Sequence, residues 1–107
     1  MTDKERLYAT MTAQTESLGE GCRLPLCVLS NCAALMWLSM PDINWCGFYL
    51  LRDDTLYLGP FQGKPACTVI PMGKGVCGTA AATRQTQLVP DVHLFPGHIA
   101  CDSASRS

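Results

Sequence analysis

Seven of the 107 residues are cysteines, at positions 22, 27, 32, 46, 67, 77 and 101. Three of them, Cys67, Cys77 and Cys101, lie in or beside stretches marked by glycine or proline. Turns of this kind carry reactive groups more often than core elements do. Redox chemistry by thiols has a small set of requirements. One cysteine must attack as the thiolate, since the neutral thiol is a poor nucleophile. If it takes up an oxygen atom it becomes a sulfenic acid. A second cysteine must reach that sulfur to close a disulfide, which an external dithiol can reopen. Cys101 stands between His98 and Asp102 in an irregular stretch, where a neighbouring imidazole can help to polarise it.

Other readings of the same residues compete with this one. Each cysteine can be a small buried hydrophobe, and for Cys22, Cys27, Cys32 and Cys46 that reading is favoured. Cys67, Cys77, His93, His98 and Cys101 can be drawn as a zinc site, but no Cys-x-x-Cys pair exists to anchor it. No metal is therefore expected. Gly73-x-Gly75-x-x-Gly78 matches a dinucleotide fingerprint as a string. It lacks the long parallel βαβ unit which that function needs. Its glycines are better explained by tight turns and close packing.

The whole chain narrows the class further. Apolar residues make up 48% and charged residues 16%, a composition able to build a core rather than a disordered segment. Eight basic and nine acidic residues are interspersed without a basic run, so neither nucleic acid nor an anionic membrane is an expected partner. The charged start Thr2-Asp3-Lys4-Glu5-Arg6 argues against a secretory signal. The apolar stretch 24–40 is short for a membrane span and contains Pro25, Ser30 and Asn31. An odd number of cysteines without a signal fits a reducing compartment, and a cytoplasmic location is expected.

The elements that must position the cysteines follow from the pattern. Thr2 and Glu5 have the spacing of a capping box and start a first helix, with Leu7, Met11, Thr15 and Leu18 on one face and Gly19 and Gly21 at its end. Pro25 opens a second helix with the stripe Leu26, Leu29, Ala33, Met36 and Met40, and Pro41 stops it. Residues 44–52 read as a strand, Asp53-Asp54 as a tight turn, and 55–58 as the returning strand, closed by Gly59-Pro60. A third strand is expected over 66–70, a short helix over 76–83, and a brief fourth strand over 87–89. The fold class is α+β, with N-terminal helices over about 2–40 and an antiparallel sheet with loops over about 42–107, all in one domain.

Four blocks then carry a resemblance. They are Asp42-Ile-Asn-Trp-Cys-Gly-Phe-Tyr-Leu-Leu51, Leu58-Gly-Pro-Phe-Gln-Gly-Lys-Pro-Ala-Cys67, Gly73-Lys-Gly-Val-Cys-Gly-Thr79 and Asp91-Val-His-Leu-Phe-Pro-Gly-His-Ile-Ala-Cys-Asp102. Together they resemble the free methionine-(R)-sulfoxide reductase family, whose fold is the GAF domain. The resemblance implies a thiol reductase of free L-methionine (R)-sulfoxide. It implies Cys101 as the nucleophile, Cys67 as the resolving cysteine and Cys77 as an auxiliary thiol. It implies Trp45 and Tyr49 as walls of a pocket for the thioether end of the substrate. No bound cofactor is implied, and thioredoxin or an equivalent dithiol is the implied reductant.

The chain departs from the family pattern at its end. The family continues with further core strands and a final helix, and with acidic residues that hold the substrate's ammonium group. Asp102 is the acidic residue left beside Cys101. The sequence is thus expected to be an incomplete GAF-like domain, inactive and unstable as an isolated monomer, whose open sheet edge favours association into a homodimer. Two alternatives stand beside the enzyme: a non-catalytic GAF sensor of small molecules, and a fragment without function.

Overall fold

A computed structural model describes residues 2–91. These residues fold as two compact units. One comprises the described residues up to Phe48 together with Pro60–Gly63; the other comprises Tyr49–Gly59 and the described residues from Lys64 onward. The elements run α1 (Asp3–Gly19), α2 (Pro25–Ser39), β1 (Trp45–Arg52), β2 (Thr55–Gly63), β3 (Val69–Pro71) and α3 (Gly75–Thr83). The strands form one sheet in the order β1-β2-β3. Helices followed by an antiparallel sheet give the expected α+β class.

The first unit is built on two helices. The Thr2 side chain accepts from the Glu5 backbone and the Glu5 carboxylate accepts from the Thr2 backbone, so the capping box forms as its spacing predicts. Leu7, Met11 and Thr15 are half-buried on the face of α1, and the stripe continues to Gly19 rather than to the exposed Leu18. A step of four residues keeps a helical position on the same face, and Leu18 lies one position off it. Pro25 occupies the first turn of α2. Its C-cap, Met40, is already extended at ψ 115°, as a residue before proline must be. α1 and α2 pack on one another. Cys32 and Ala33 are the buried residues of α2. Leu26, expected on its inner stripe, is 56% exposed. It lies in the first turn, at the edge of the packed surface.

The turn between β1 and β2 has Asp53 and Asp54 at φ 52° and 57°. Two consecutive left-handed residues match the right-handed twist of a two-residue hairpin, and aspartate tolerates that conformation better than most side chains. β2 is nine residues long and does not end at Gly59-Pro60 as the sequence suggested. The reason lies across the ladder, within the first unit. A Cβ at Gly47 would stand 2.7 Å from the Phe61 Cα and 2.8 Å from the Pro60 carbonyl oxygen. Glycine at 47 therefore lets the two backbones approach closely, and the strand runs through the proline.

In the second unit β2 and β3 are antiparallel with Thr55 opposite Pro71, Leu56 opposite Ile70 and Tyr57 opposite Val69. Leu56 and Ile70 are both buried, so one cross-strand pair makes the centre of this unit. β3 begins at Val69, three residues later than expected, although Leu58 N–H still donates to the Thr68 carbonyl at 2.9 Å. Cys67 thereby lies in the loop before the strand and not within it. Residues 87–89 form no strand, and Leu88 is 94% exposed. β-prone residues without a partner to pair with do not make a sheet. No helix among the described residues is long and apolar enough to cross a membrane.

Candidate active site

The second unit gathers three of the residues singled out for chemistry. Tyr49, in the middle of β1, donates its hydroxyl hydrogen to the carbonyl of Cys67 at 2.8 Å. This bond holds the loop that leads out of β2 against the strand. Cys67 is half-buried and is disulfide-bonded. Cys77 is the third residue of α3 and carries a free thiol.

Cys77 also acts on Tyr49. The phenol pKa of Tyr49 is raised, first by desolvation and then by the nearby charge of an ionised Cys77. Cys77 itself is pushed upward by desolvation. Its surface reaches solvent, yet the protein around the sulfur withholds enough water to favour the neutral thiol. A thiol kept neutral is a weak nucleophile.

The glycines ahead of α3 set the position of Cys77. Gly73 and Gly75 have φ of 80° and 63°, a conformation that side chains resist. Gly73 N–H donates to the Gly78 carbonyl at 2.9 Å, and Lys74 N–H donates to Pro71 at 3.1 Å. A Cβ on Gly78 would stand 2.6 Å from the Pro71 carbonyl oxygen. The Gly-x-Gly-x-x-Gly string thus closes a turn and seats α3 on β3, in keeping with the packing explanation for it. At the far end of α3, Arg84 takes the left-handed C-cap position at φ 57° that glycine more often fills.

The first unit holds the other aromatic candidate. Trp45 opens β1 and stacks on Phe61, with ring centroids 5.4 Å apart and planes 17° from parallel. Gly63, at φ 128°, passes close to the Asn44 carbonyl and the Trp45 ring. Phe61 was missed from the sequence because Gly59-Pro60 hid the continuation of β2; the alternation of large residues across that pair was the signal for it. Cys46, next to Trp45, donates its thiol hydrogen to the Ala33 carbonyl of α2 at 3.4 Å, and desolvation raises its pKa. Cys32 is buried, and Cys46 is half-buried and bonded to a helix carbonyl.

Cys101 and Asp102, together with His93 and His98, lie outside the described residues. So do three of the five ligands drawn for a zinc site. Among the described residues no group of three or more His, Cys, Asp or Glu side chains is arranged to hold a metal ion.

No protein-family profile matches the chain. Individual proteins do. The free methionine-R-sulfoxide reductase of Escherichia coli is 54% identical over 105 residues, which are 98% of this chain and 64% of that protein. A protein from Burkholderia vietnamiensis described as a GAF sensor superposes with a TM-score of 0.94 at 55% identity, over 99% of this chain and 67% of its own. The free methionine-R-sulfoxide reductase of Neisseria meningitidis, solved in complex with its substrate, gives a TM-score of 0.93 at 44% identity, over 100% of this chain and 65% of its own. The chain spans just under two thirds of the length of the curated relatives it matches.

Proposed function

The chain belongs to the GAF-domain family that includes the free methionine-R-sulfoxide reductases, and from that premise we propose that the protein reduces free L-methionine (R)-sulfoxide to methionine. The observation that carries this reading is the 54% identity to the Escherichia coli reductase across 98% of the chain. In the proposed cycle the Cys101 thiolate attacks the sulfoxide sulfur. The sulfoxide oxygen passes to the cysteine, methionine leaves, and Cys101 becomes a sulfenic acid. The Cys67 thiol then attacks that sulfur; water departs and a disulfide remains. A dithiol such as thioredoxin takes up the disulfide and restores both thiols. The sum is sulfoxide plus dithiol giving methionine, disulfide and water. A reducing cytoplasm suits this cycle, and a homodimer is compatible with it.

The state of Cys67 supports the assigned roles. It is disulfide-bonded, and the ability to form a disulfide is what the resolving role requires. Cys77, exposed and free, is proposed as the auxiliary thiol to which that disulfide can pass. The Tyr49 hydroxyl holds the Cys67 loop, and Trp45 and Tyr49 offer aromatic surface to the thioether end of the substrate. Asp102 is proposed to face the substrate's ammonium group, where a charge-assisted contact is worth most.

A second reading rests on the Burkholderia vietnamiensis protein described as a sensor. Thiol titration separates the two. One equivalent of free methionine (R)-sulfoxide added to the reduced protein removes two thiols if the protein is a reductase and none if it is a sensor. Methionine release from the free sulfoxide, with none from a peptide-bound sulfoxide, completes the test. Equal turnover of both substrates would falsify the assignment to the free amino acid.

A further inference from the structure

Glycine meets an aromatic residue twice where β1 runs beside β2 in the first unit. A Cβ on Gly47 of β1 would stand 2.7 Å from the Phe61 Cα of β2. A Cβ on Gly63 of β2 would stand 2.9 Å from Cδ1 of the Trp45 indole and 3.1 Å from the Trp45 Cα. Trp45 and Gly47 lie two apart on one strand, and Phe61 and Gly63 two apart on the other, so each pair shares a face. On that face the two rings stack, 5.4 Å apart and 17° from parallel. Glycine inside a strand weakens it, and it often marks a place where another part of the chain comes close. Here both glycines make room for the aromatic pair. Trp45 and Phe61 are each half-buried. The indole has a ring against one of its faces and backbone against its Cδ1 edge, so it cannot swing toward either. The reductase cycle gives no role to Phe61 or to the two glycines.

We propose that Phe61, seated against Gly47, is a positioning residue that fixes the Trp45 wall and thereby sets which S-alkyl group the site accepts. The inference rests on the reductase reading and on the place given there to Trp45, at the thioether end of the substrate. Methionine sulfoxide carries a methyl group on its sulfur. A wall that cannot recede accepts methyl and rejects a longer group. Such rejection has a known scale, since one methylene in an apolar pocket is worth about 10–200-fold in kcat/KM. The wall discriminates on that scale only while it is held. A ring that can tilt into empty space yields to the extra carbon. Phe61 supplies the hold through its ring face, without touching the substrate. Tyrosine at 61 keeps that face, and leucine removes it.

A comparison of two substrates tests this in the full-length protein. Free methionine (R)-sulfoxide is set against its S-ethyl homologue, and the ratio of the two kcat/KM values is the readout. That ratio is blind to the fraction of protein that is folded, so a purely structural loss leaves it unmoved. The wild type is expected to prefer the methyl compound by about tenfold or more. Phe61→Leu is expected to bring the ratio toward unity, and Phe61→Tyr to hold it at the wild-type value. A Phe61→Leu ratio equal to that of the wild type overturns the proposal, and so does a ratio lost equally in Phe61→Tyr. A wild type that reduces both compounds equally well also overturns it, while leaving the reductase reading intact. A wild type that reduces neither removes that reading and this inference with it. Fluorescence anisotropy decay gives a second readout that needs no turnover. Trp37 and Trp45 are the two tryptophans, so Trp37→Phe isolates Trp45. Adding Phe61→Leu is expected to give the indole a fast component of motion, on the nanosecond scale or below, that is absent with Phe61 in place. An unchanged decay overturns the proposal.

Discussion

Cys32 and Cys46 in one unit, and Cys67 and Cys77 in the other, are the same residue type in opposite surroundings. In the helical unit, Cys32 is buried in α2 and Cys46 gives its thiol hydrogen to a helix carbonyl. In the strand-and-turn unit, Cys67 sits in a loop and is disulfide-bonded, and Cys77 sits at an exposed position behind a glycine turn. A sulfur packed against a helix is a small apolar group with a weak donor. A sulfur in a loop can be reached by another sulfur. Placement, more than the residue itself, separates structural thiols from chemical ones.

The comparison breaks first at the chemistry. Cys101→Ser is expected to abolish methionine release even in a single turnover, because no nucleophile remains. Cys67→Ser is expected to release one equivalent and leave a sulfenic acid that a dimedone probe traps. Loss of the first turnover in both variants would reverse the roles. Cys32→Ala, in the helical unit, is expected to keep the turnover number of the wild type while losing stability, as seen by urea unfolding.

The close backbone approaches give the next largest effects. Gly47→Ala places a methyl against the Phe61 and Pro60 backbone in the first unit, and Gly78→Ala places one against Pro71 in the second. Each is expected to cost about 1–3 kcal/mol, the usual penalty of overpacking. A Gly47→Ala protein as stable as the wild type would mean that β2 is not continuous through Pro60. Tyr49→Phe removes the hydrogen bond from the hydroxyl to the Cys67 carbonyl and is expected to cost about 0.5–1.5 kcal/mol. It should also make the Cys67 disulfide open faster under a dithiol, whereas a purely local packing role would leave that rate alone.

The smallest effect is in pH. Desolvation raises the Cys46 and Cys77 thiols above their ordinary value of 9.0. The folded protein therefore holds those protons more tightly than the unfolded chain does. The resulting stability is fully present below pH 9 and is lost as pH rises through the folded values. The urea midpoint of the reduced protein is expected to fall slightly above pH 9, and less so in a Cys46→Ala, Cys77→Ala double variant. Alkylation of Cys77 should have its pH midpoint above that of an ordinary thiol. A midpoint below 9 would make Cys77 an activated nucleophile and undo its auxiliary role.

Local codes were legible. The Thr2/Glu5 capping box, the Pro25 helix start, the Asp53-Asp54 hairpin and the glycines before α3 each depend on residues a few positions apart, and each forms where the sequence puts it. Leu18 and Leu26 fit helical stripes by spacing yet are exposed, because burial depends on what a helix meets and not on its own periodicity. β2 outran its glycine and proline because Gly47, on another strand, makes room for Phe61. The expected strand at 87–89 is absent for the same kind of reason, since a strand exists only where a partner's N–H and C=O groups face it.

The sequence by itself determined the helix ends, the hairpin turn, the α+β class and, through its four motif blocks, the family. These rest on backbone preferences and short-range hydrogen bonds, which adjacent residues specify among themselves. Only the tertiary structure decided that Tyr49 holds the Cys67 loop, that Phe61 backs Trp45, and that Cys46 bonds to Ala33. These contacts join positions 13 to 18 residues apart. Side-chain contacts of this kind follow from where packed elements bring the chain back to itself, which no local spacing encodes.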